Sequence, residues 1–318
     1  MKAIIIQLKE ELQRYQPEKN SIKSLFIGGG TPSTVAPHFY EEFFTIIKPY
    51  LKENAEITTE ANPNSATQEW LEGMKNLGVT RVSFGVQSFD ATKLKALGRN
   101  HSPKQAMNAV TNAHKVGIKN ISLDLIYATS FDKPGLLEND IKTAFSLPIN
   151  HISSYALTLE ENTPFFGKTE LVNDSTEDAQ HFISLVTKKF EHYEISNFGE
   201  YQSVHNLGYW RGDDYIGIGA GAVGFLKNQR FYPQKGVEEY IQNPNLVEAE
   251  DLSEEDLHVE KLFLGLRSKV GVILSEFSEK ELKNVTLLID ENKLTCRDGQ
   301  VYNNDFLLSD ELVLFITN

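Results

Sequence analysis

Cysteine is nearly absent from this sequence: Cys296 stands alone among 318 residues. A lone thiol closes no internal disulfide, and by itself it holds neither an iron–sulfur cluster nor a cysteine-rich zinc site. Such scarcity fits a reducing cytosol, so a cytoplasmic location is expected. Long apolar runs are missing as well. None approaches the roughly 18 residues that cross a bilayer, which leaves at most peripheral membrane contact. The longest run near the N terminus, residues 3–6, is shorter than the about 7–15 residues of a signal-peptide core. Basic residues are in deficit, 31 against 44 acidic ones, for a net charge of −13. A chain this acidic is repelled by a phosphate backbone, which argues against nucleic acid as a partner. His38, His101, His114, His151, His181, His192 and His258 are scattered. No pair has the spacing of the common zinc motifs, so no metal ligand is assigned.

What is present suits a large core: 40% of the residues are hydrophobic, enough for two domains at this length. Ile4, Ile5, Leu8, Leu12 and Tyr15 recur at helical spacing over residues 1–15. Apolar strand-like runs then fall at 24–27, 56–60, 80–86, 120–127 and 151–157. Helical patterns lie between them at 37–53, 67–77, 103–116 and 134–147. Strands alternating with helices imply right-handed βαβ units and a parallel sheet, here of five strands. The rhythm changes near residue 165. A helix is predicted over 175–192, short antiparallel strands near 215–226 and 229–232, and helices over 254–268 and 275–292. The expectation is an α/β protein, with residues 1–165 as a parallel α/β domain. Residues 166–318 form a smaller α+β region ending in a mostly helical cap.

Gly28-Gly29-Gly30-Thr31-Pro32 follows the first strand directly. Loops at the carboxyl ends of parallel strands form the ligand face, and glycines let the backbone approach a ligand closely. A tight turn with a proline start to the next helix reads equally well from those residues. Glu60, Gln87 and Asp124 sit at or near the ends of the following strands, and Arg99 follows Ala96-Leu97-Gly98. A carboxylate inside a strand as apolar as 121–125 is costly unless paired. An internal salt bridge of Arg99 with Asp124 or Glu60 is therefore the structural alternative to a ligand site. Gly219-x-Gly221-x-x-Gly224 matches the dinucleotide fingerprint, but residues 225–233 do not read as the helix that motif must open. A glycine-rich strand crossing is the better reading. His205-Asn206-Leu207-Gly208-Tyr209-Trp210 gathers an imidazole and two aromatic rings. That set can contact a planar ligand such as a porphyrin or ligate its iron, and it can equally be buried packing.

Together these pieces resemble the radical S-adenosylmethionine family, in the branch of oxygen-independent coproporphyrinogen III oxidase and the heme chaperone HemW. The matching stretches are Ile27-Gly-Gly-Gly-Thr-Pro32, Glu60-Ala-Asn-Pro63, Gly85-Val-Gln-Ser-Phe89, Leu97-Gly-Arg99 and Ile121-Ser-Leu-Asp-Leu-Ile-Tyr127. Tyr193-Glu-Ile-Ser-Asn-Phe198, His205-Asn-Leu-Gly-Tyr-Trp210, Gly217-Ile-Gly-Ala-Gly221 and Leu264-Gly-Leu-Arg267 continue the series. They run through nearly the whole chain in family order. The His205–Trp210 segment and the modest length are more similar to HemW than to the longer oxidase.

The resemblance implies an incomplete (β/α)6 partial barrel with S-adenosylmethionine at its carboxyl face. Gly29, Gly30 and Thr31 would receive the methionine end, with Glu60, Gln87, Arg99 and Asp124 completing the pocket. His205, Tyr209 and Trp210 would face heme or another tetrapyrrole. Complete family members also hold a [4Fe–4S] cluster on a Cys-x3-Cys-x2-Cys loop ahead of the Gly-Gly-Gly-Thr-Pro strand. Residues 1–12 resemble the helix that follows that loop, so the expectation is a barrel lacking its first strand and the cluster loop. Val204, Val223 and Gly224 also depart from the family pattern, at positions that bear on porphyrin contacts. Three functions follow from the resemblance: HemW-like heme binding and delivery to a heme-receiving protein, a coproporphyrinogen III oxidase-like enzyme of porphyrin biosynthesis, or a cluster-free module binding S-adenosylmethionine or heme. No catalytic residue is assigned, and radical chemistry is expected to be silent in this chain. The exposed edge of residues 25–27 is expected to favour a homodimer or aggregation.

Overall fold

The computed structural model describes residues 1–159, 161, 165–173 and 175–318. Helix α1 (Lys2–Tyr15) buries Ile5 and Leu8 and ends at Gln16, which takes a left-handed conformation. Strand β1 (Ile22–Ile27) follows. The helix expected over 37–53 is interrupted. A 3-10 turn at Pro37–Tyr40 leads into α2 (Glu41–Ile47), and Pro49 lies in a second such turn, Lys48–Tyr50. Proline offers no N–H to a helical ladder, and the chain leaves the helix there to become strand β2 (Leu51–Ala61). Helix α3 (Gln68–Leu77) is capped by the Thr67 hydroxyl, which accepts from the Trp70 N–H, and stops at Gly78 with φ 115°.

Strand β3 (Arg81–Gln87) leads to the short helix α4 (Ala91–Ala96) and to α5 (Pro103–Lys115), which starts on a Ser102–Gln105 capping box. Then come β4 (Asn120–Tyr127), α6 (Leu136–Phe145) and β5 (His151–Ala156). Helix α7 (Ser175–Val186) is shorter than the expected 175–192, because residues 191–194 pair as strand β6 (Glu191–Glu194) with β7 (Asn197–Gly199). The remainder is α8 (Val204–Trp210), β8 (Gly224–Leu226), β9 (Gln229–Pro233), α9 (Val237–Gln242), β10 (Val247–Asp251), α10 (Glu254–Leu266) and β11 (Val272–Ile273). It ends in α11 (Glu279–Asp290), β12 (Leu294–Arg297), β13 (Gln300–Asn303) and α12 (Ser309–Thr317). Among the described residues no helix is long and apolar enough to cross a membrane.

The fold is α/β. Its main sheet has seven strands in the order β1-β2-β3-β4-β5-β7-β6, two more than the sequence rhythm showed. Strands β2 to β5 pair in parallel, and β7 and β6 extend the sheet antiparallel beyond residue 165. By compactness the chain divides into two units. One unit comprises Met1–Lys23, Tyr40–Asn54 and Ser203–Asn318, and the other Ser24–Phe39 and Ala55–Gln202. The first unit holds the antiparallel sheet β10-β9-β8 and a C-terminal cap. In that cap, Leu262, Leu266, Val285, Leu288, Val301, Val313 and Ile316 form one buried core around the sheet β11-β13-β12.

The second unit carries the main sheet, and its period-2 alternation positions the site. Ile57, Val82, Phe84, Ile121, Leu123 and Ile152 are buried on one face. The alternate residues Glu60, Ser83, Ser122, Asp124, His151 and Ser153 share the other. Register sets them in rows: Glu60 pairs with Ser83, Ser83 with Ser122, Ser122 with His151, and Asp124 with Ser153. One face of this sheet is thus apolar and the other lined with groups that form hydrogen bonds.

Candidate functional site

The carboxyl ends of β1 to β4 bring the predicted residues together. A Cβ at Gly28 would lie 2.6 Å from the Phe26 ring and 3.3 Å from the Glu60 carboxyl carbon, so only glycine fits there. Gly29 and Gly30 follow with φ of 74° and 49°, backbone that other residues adopt at a cost. The Gly29 N–H donates to Glu60 Oε2 at 3.2 Å. The Thr31 carbonyl accepts from the Thr34 N–H at 3.0 Å, and its hydroxyl accepts from Asn62 Nδ2 at 3.4 Å. Ser33 Oγ accepts from the Asn62 N–H at 3.0 Å and pairs with the Ser65 hydroxyl at 2.6 Å. The glycine loop is thereby tied to the segment that leaves β2.

Burial pushes the Glu60 carboxyl above the usual carboxylate range, and the like charge of Asp124 adds to it. The Gly29 N–H opposes both. Asp124 accepts from Ser83 Oγ at 2.9 Å. Burial pushes its carboxyl up too, and the Ser83 hydroxyl, the Arg81 charge, the Ser153 hydroxyl and the Arg99 charge hold it back. Arg99 follows Gly98, whose φ is 65°. Burial lowers the guanidinium pKa, and the Asp124 charge counters that. Among the described residues Arg99 makes no hydrogen bond to Asp124 or Glu60. The internal salt bridge weighed from the sequence therefore does not form, and the cation acts on Asp124 through space. Gln87 is buried with φ 67°, at an irregularity where β3 shifts register against β4.

The loop bearing Gln87 and Arg99 is fixed from below. Lys93 on α4 donates to the Ile126 carbonyl at 2.7 Å and pairs with Asp132, and both side chains are buried. Asp140 accepts from Ser88 Oγ and from the Phe89 N–H, each at 2.7 Å. The Arg99 N–H itself donates to the Leu94 carbonyl at 2.9 Å.

Sequence reasoning passed over Ser83, Ser153, Tyr155 and Asn62, which line or brace the same face. Alternation in His151-x-Ser153-x-Tyr155 was the signal for two of them. The Tyr155 phenol is pushed upward by burial first and then by the charges of Asp124 and Glu194.

The second predicted cluster lies in the other unit, on α8, a helix that the glycine-rich surroundings hid. Ser203 Oγ caps it by accepting from the Asn206 N–H at 3.3 Å. His205 Nε2 and the Tyr209 hydroxyl are 3.1 Å apart, with ring centroids at 4.7 Å and edge-to-face. Tyr209 packs edge-to-face on Tyr215 at 4.6 Å, and Tyr215 leans on Phe225 at 6.1 Å. Burial and the neighbouring Tyr215 push the Tyr209 phenol up to about 12. Trp210 is half-buried, and its indole N–H has no partner among the described residues.

The Gly219–Gly224 stretch opens no helix. A Cβ at Gly217 would sit 2.1 Å from the Ala222 carbonyl oxygen, and β8 begins at Gly224. This is a tight strand crossing, held by Gln7, which donates to the Gly217 carbonyl and accepts from the Gly219 N–H. Cys296 is exposed on β12. Among the described residues no group of three or more His, Cys, Asp or Glu is placed to hold a metal ion.

Residues 4–140 match the Radical SAM superfamily. The heme chaperone HemW of Lactococcus lactis is 34% identical over 293 residues, spanning 87% of this chain and 77% of that protein. HemW of Bacillus subtilis is 35% identical over 280 residues, spanning 81% and 73%. Among solved structures, coproporphyrinogen III oxidase (HemN) from Escherichia coli, described as a radical SAM enzyme, superposes with a TM-score of 0.80. The match covers 99% of this chain and 82% of that one at 16% sequence identity, a likeness of fold.

Proposed function

The chain belongs to the radical SAM superfamily, in the family of the heme chaperone HemW, and on that premise we propose that it binds heme and passes it to a receiving protein. The observation that carries this reading is the surface of α8. An imidazole and a phenol one turn apart, backed by Tyr215 and Phe225, suit an iron ligand beside a flat apolar macrocycle. The oxidase reading rests on shared fold and gains no residue of its own here.

The glycine-loop face fits S-adenosylmethionine. The Gly29–Gly30 backbone and the Glu60 carboxylate suit its ammonium group, Arg99 its carboxylate, and Asp124 its ribose hydroxyls, with Gln87 closing the pocket. These residues bind and orient, and the low-polarity surroundings of Glu60 and Asp124 strengthen each contact. A [4Fe–4S] cluster, which supplies the reducing electron in radical SAM chemistry, does not fit the residues present. The one thiol of this sequence, exposed on β12, cannot supply the three thiolates that hold it.

Heme titration followed through the Soret band tests the proposal. The expected result is saturable binding with a shifted band, lost in His205→Ala while far-ultraviolet circular dichroism stays unchanged. A Soret spectrum that stays that of free heme would overturn it. Separately, Arg99→Met should weaken S-adenosylmethionine binding, measured by calorimetry, by about ten- to a hundredfold, the value of a charge-assisted hydrogen bond at roughly 1.5–3 kcal/mol. Equal affinity in both proteins would remove Arg99 from that pocket.

A further inference from the structure

We propose that Lys23 and Arg211 form the carboxylate-binding edge of the α8 site and that the ligand taken there is a tetrapyrrole bearing free propionate groups. The inference rests on the heme reading above and adds a specificity to it. Asp213 Oδ2 accepts from Lys23 Nζ at 3.2 Å and from Arg211 Nη2 at 3.4 Å. A single carboxylate oxygen thus faces two cations. Both distances exceed the about 2.7–2.9 Å of a strong charge-assisted bond. Both cations are also well exposed, with side-chain accessibilities of 57% and 38%, so a new anion can join them without breaking a tight pair.

The cluster lies beside the imidazole. Asp213 is turned back along the helix by Gly212, with φ 69°, and its N–H donates to the Gly208 carbonyl at 2.9 Å. A Cβ placed on Gly208 would lie 3.7 Å from Asp213 Oδ2. Gly208 stands three residues after His205, and residues three and four apart are neighbours on one helix face. The candidate iron ligand at His205 and the Tyr209 ring lie on α8, and the doubly paired Asp213 packs just beyond its carboxyl end against Gly208. Heme needs this set: a ligand for the metal, an apolar aromatic wall for the ring, and cations at the rim for two carboxylates. A macrocycle with esterified side chains would use the first two and gain nothing from the third.

The test compares heme with heme dimethyl ester, each titrated into the full chain and followed by the Soret band. The proteins are the wild type, Lys23→Gln, Arg211→Gln, the double variant and His205→Ala. The double variant should bind heme about tenfold more weakly, a loss of about 1.4 kcal/mol. It should bind the dimethyl ester as the wild type does. Added salt should weaken heme binding in the wild type and much less in the double variant. An unchanged heme affinity in the double variant, or an equal loss for heme and ester, would overturn the carboxylate edge and leave the heme reading standing. Binding of neither ligand by the wild type would overturn both.

Discussion

Lys93→Met should lower the unfolding free energy by about 3–5 kcal/mol, the range for removing one partner of a buried ion pair. Lys93 and Asp132 are 0% and 2% exposed, and the ammonium also satisfies the Ile126 carbonyl. Methionine fills a similar volume, so the loss would come from the charge: Asp132 would stay buried, answered among the described residues by the Thr129 N–H at 2.8 Å. Asp178 would be pushed up further, because the Lys93 charge now offsets part of the burial and Asp132 charge that raise its carboxyl. The double variant Lys93→Met/Asp132→Leu should recover most of the loss, since an apolar pair removes the stranded charge. Urea denaturation of the three proteins measures this, and a Lys93→Met cost below about 1 kcal/mol would show the pair to be screened. The effect should reach the ligand face, because α4 leads directly into Gly98 and Arg99. Calorimetry should find weaker S-adenosylmethionine binding in the single variant than in the double one.

Much of this arrangement was legible in the residues. Five strands were found because buried parallel strands are near-continuous apolar runs, and a carboxylate inside such a run, as at Asp124, stands out. The glycine loop and Glu60 were legible for the same reason: each breaks a pattern that packing alone would keep. What escaped depended on partners distant in sequence. Residues 191–194 continue the spacing of α7, and only pairing with Asn197–Gly199 makes them a strand. Six-residue α4 is too short to show a period, and its anchoring Lys93 looks like any surface lysine until Asp132 is brought to it. His151 reads as one more scattered histidine. In the structure it is wholly buried among Arg81, Ser122 and Tyr193, and burial together with the Arg81 charge drives its pKa well down. The helix expected through residue 53 overran Pro49, whose missing N–H was visible and should have ended it.

Glu194 should make stability fall as pH rises, and Glu194→Gln should abolish that dependence. The side chain is fully buried at the β6–β7 turn, and burial pushes its carboxyl from 4.5 up to about 7, against the opposing Ser196 N–H. The folded value lies above the unfolded one, so between them the native state holds the proton more tightly. Its contribution is therefore fully present below about pH 4.5 and is lost as pH rises to about 7, at about 1.4 kcal/mol per pH unit and about 3 kcal/mol in all. The neighbouring groups agree with a protonated acid. Asn197 Nδ2 sits against Glu194 Oε1, while Asn197 Oδ1 is buried with no partner among the described residues. Turning that amide over lets a protonated carboxyl donate to Oδ1 and satisfies both groups. Glutamine at 194 supplies an N–H donor in place of the carboxyl O–H at every pH. Tyr155, whose phenol the Glu194 charge helps to raise, stays neutral through this range and so adds no slope. Urea denaturation from pH 4.5 to 8 should show the two proteins about equally stable at the acid end and Glu194→Gln ahead by about 3 kcal/mol at pH 8. Parallel curves across the range would place the Glu194 proton elsewhere, and with it the account of the Asn197 amide.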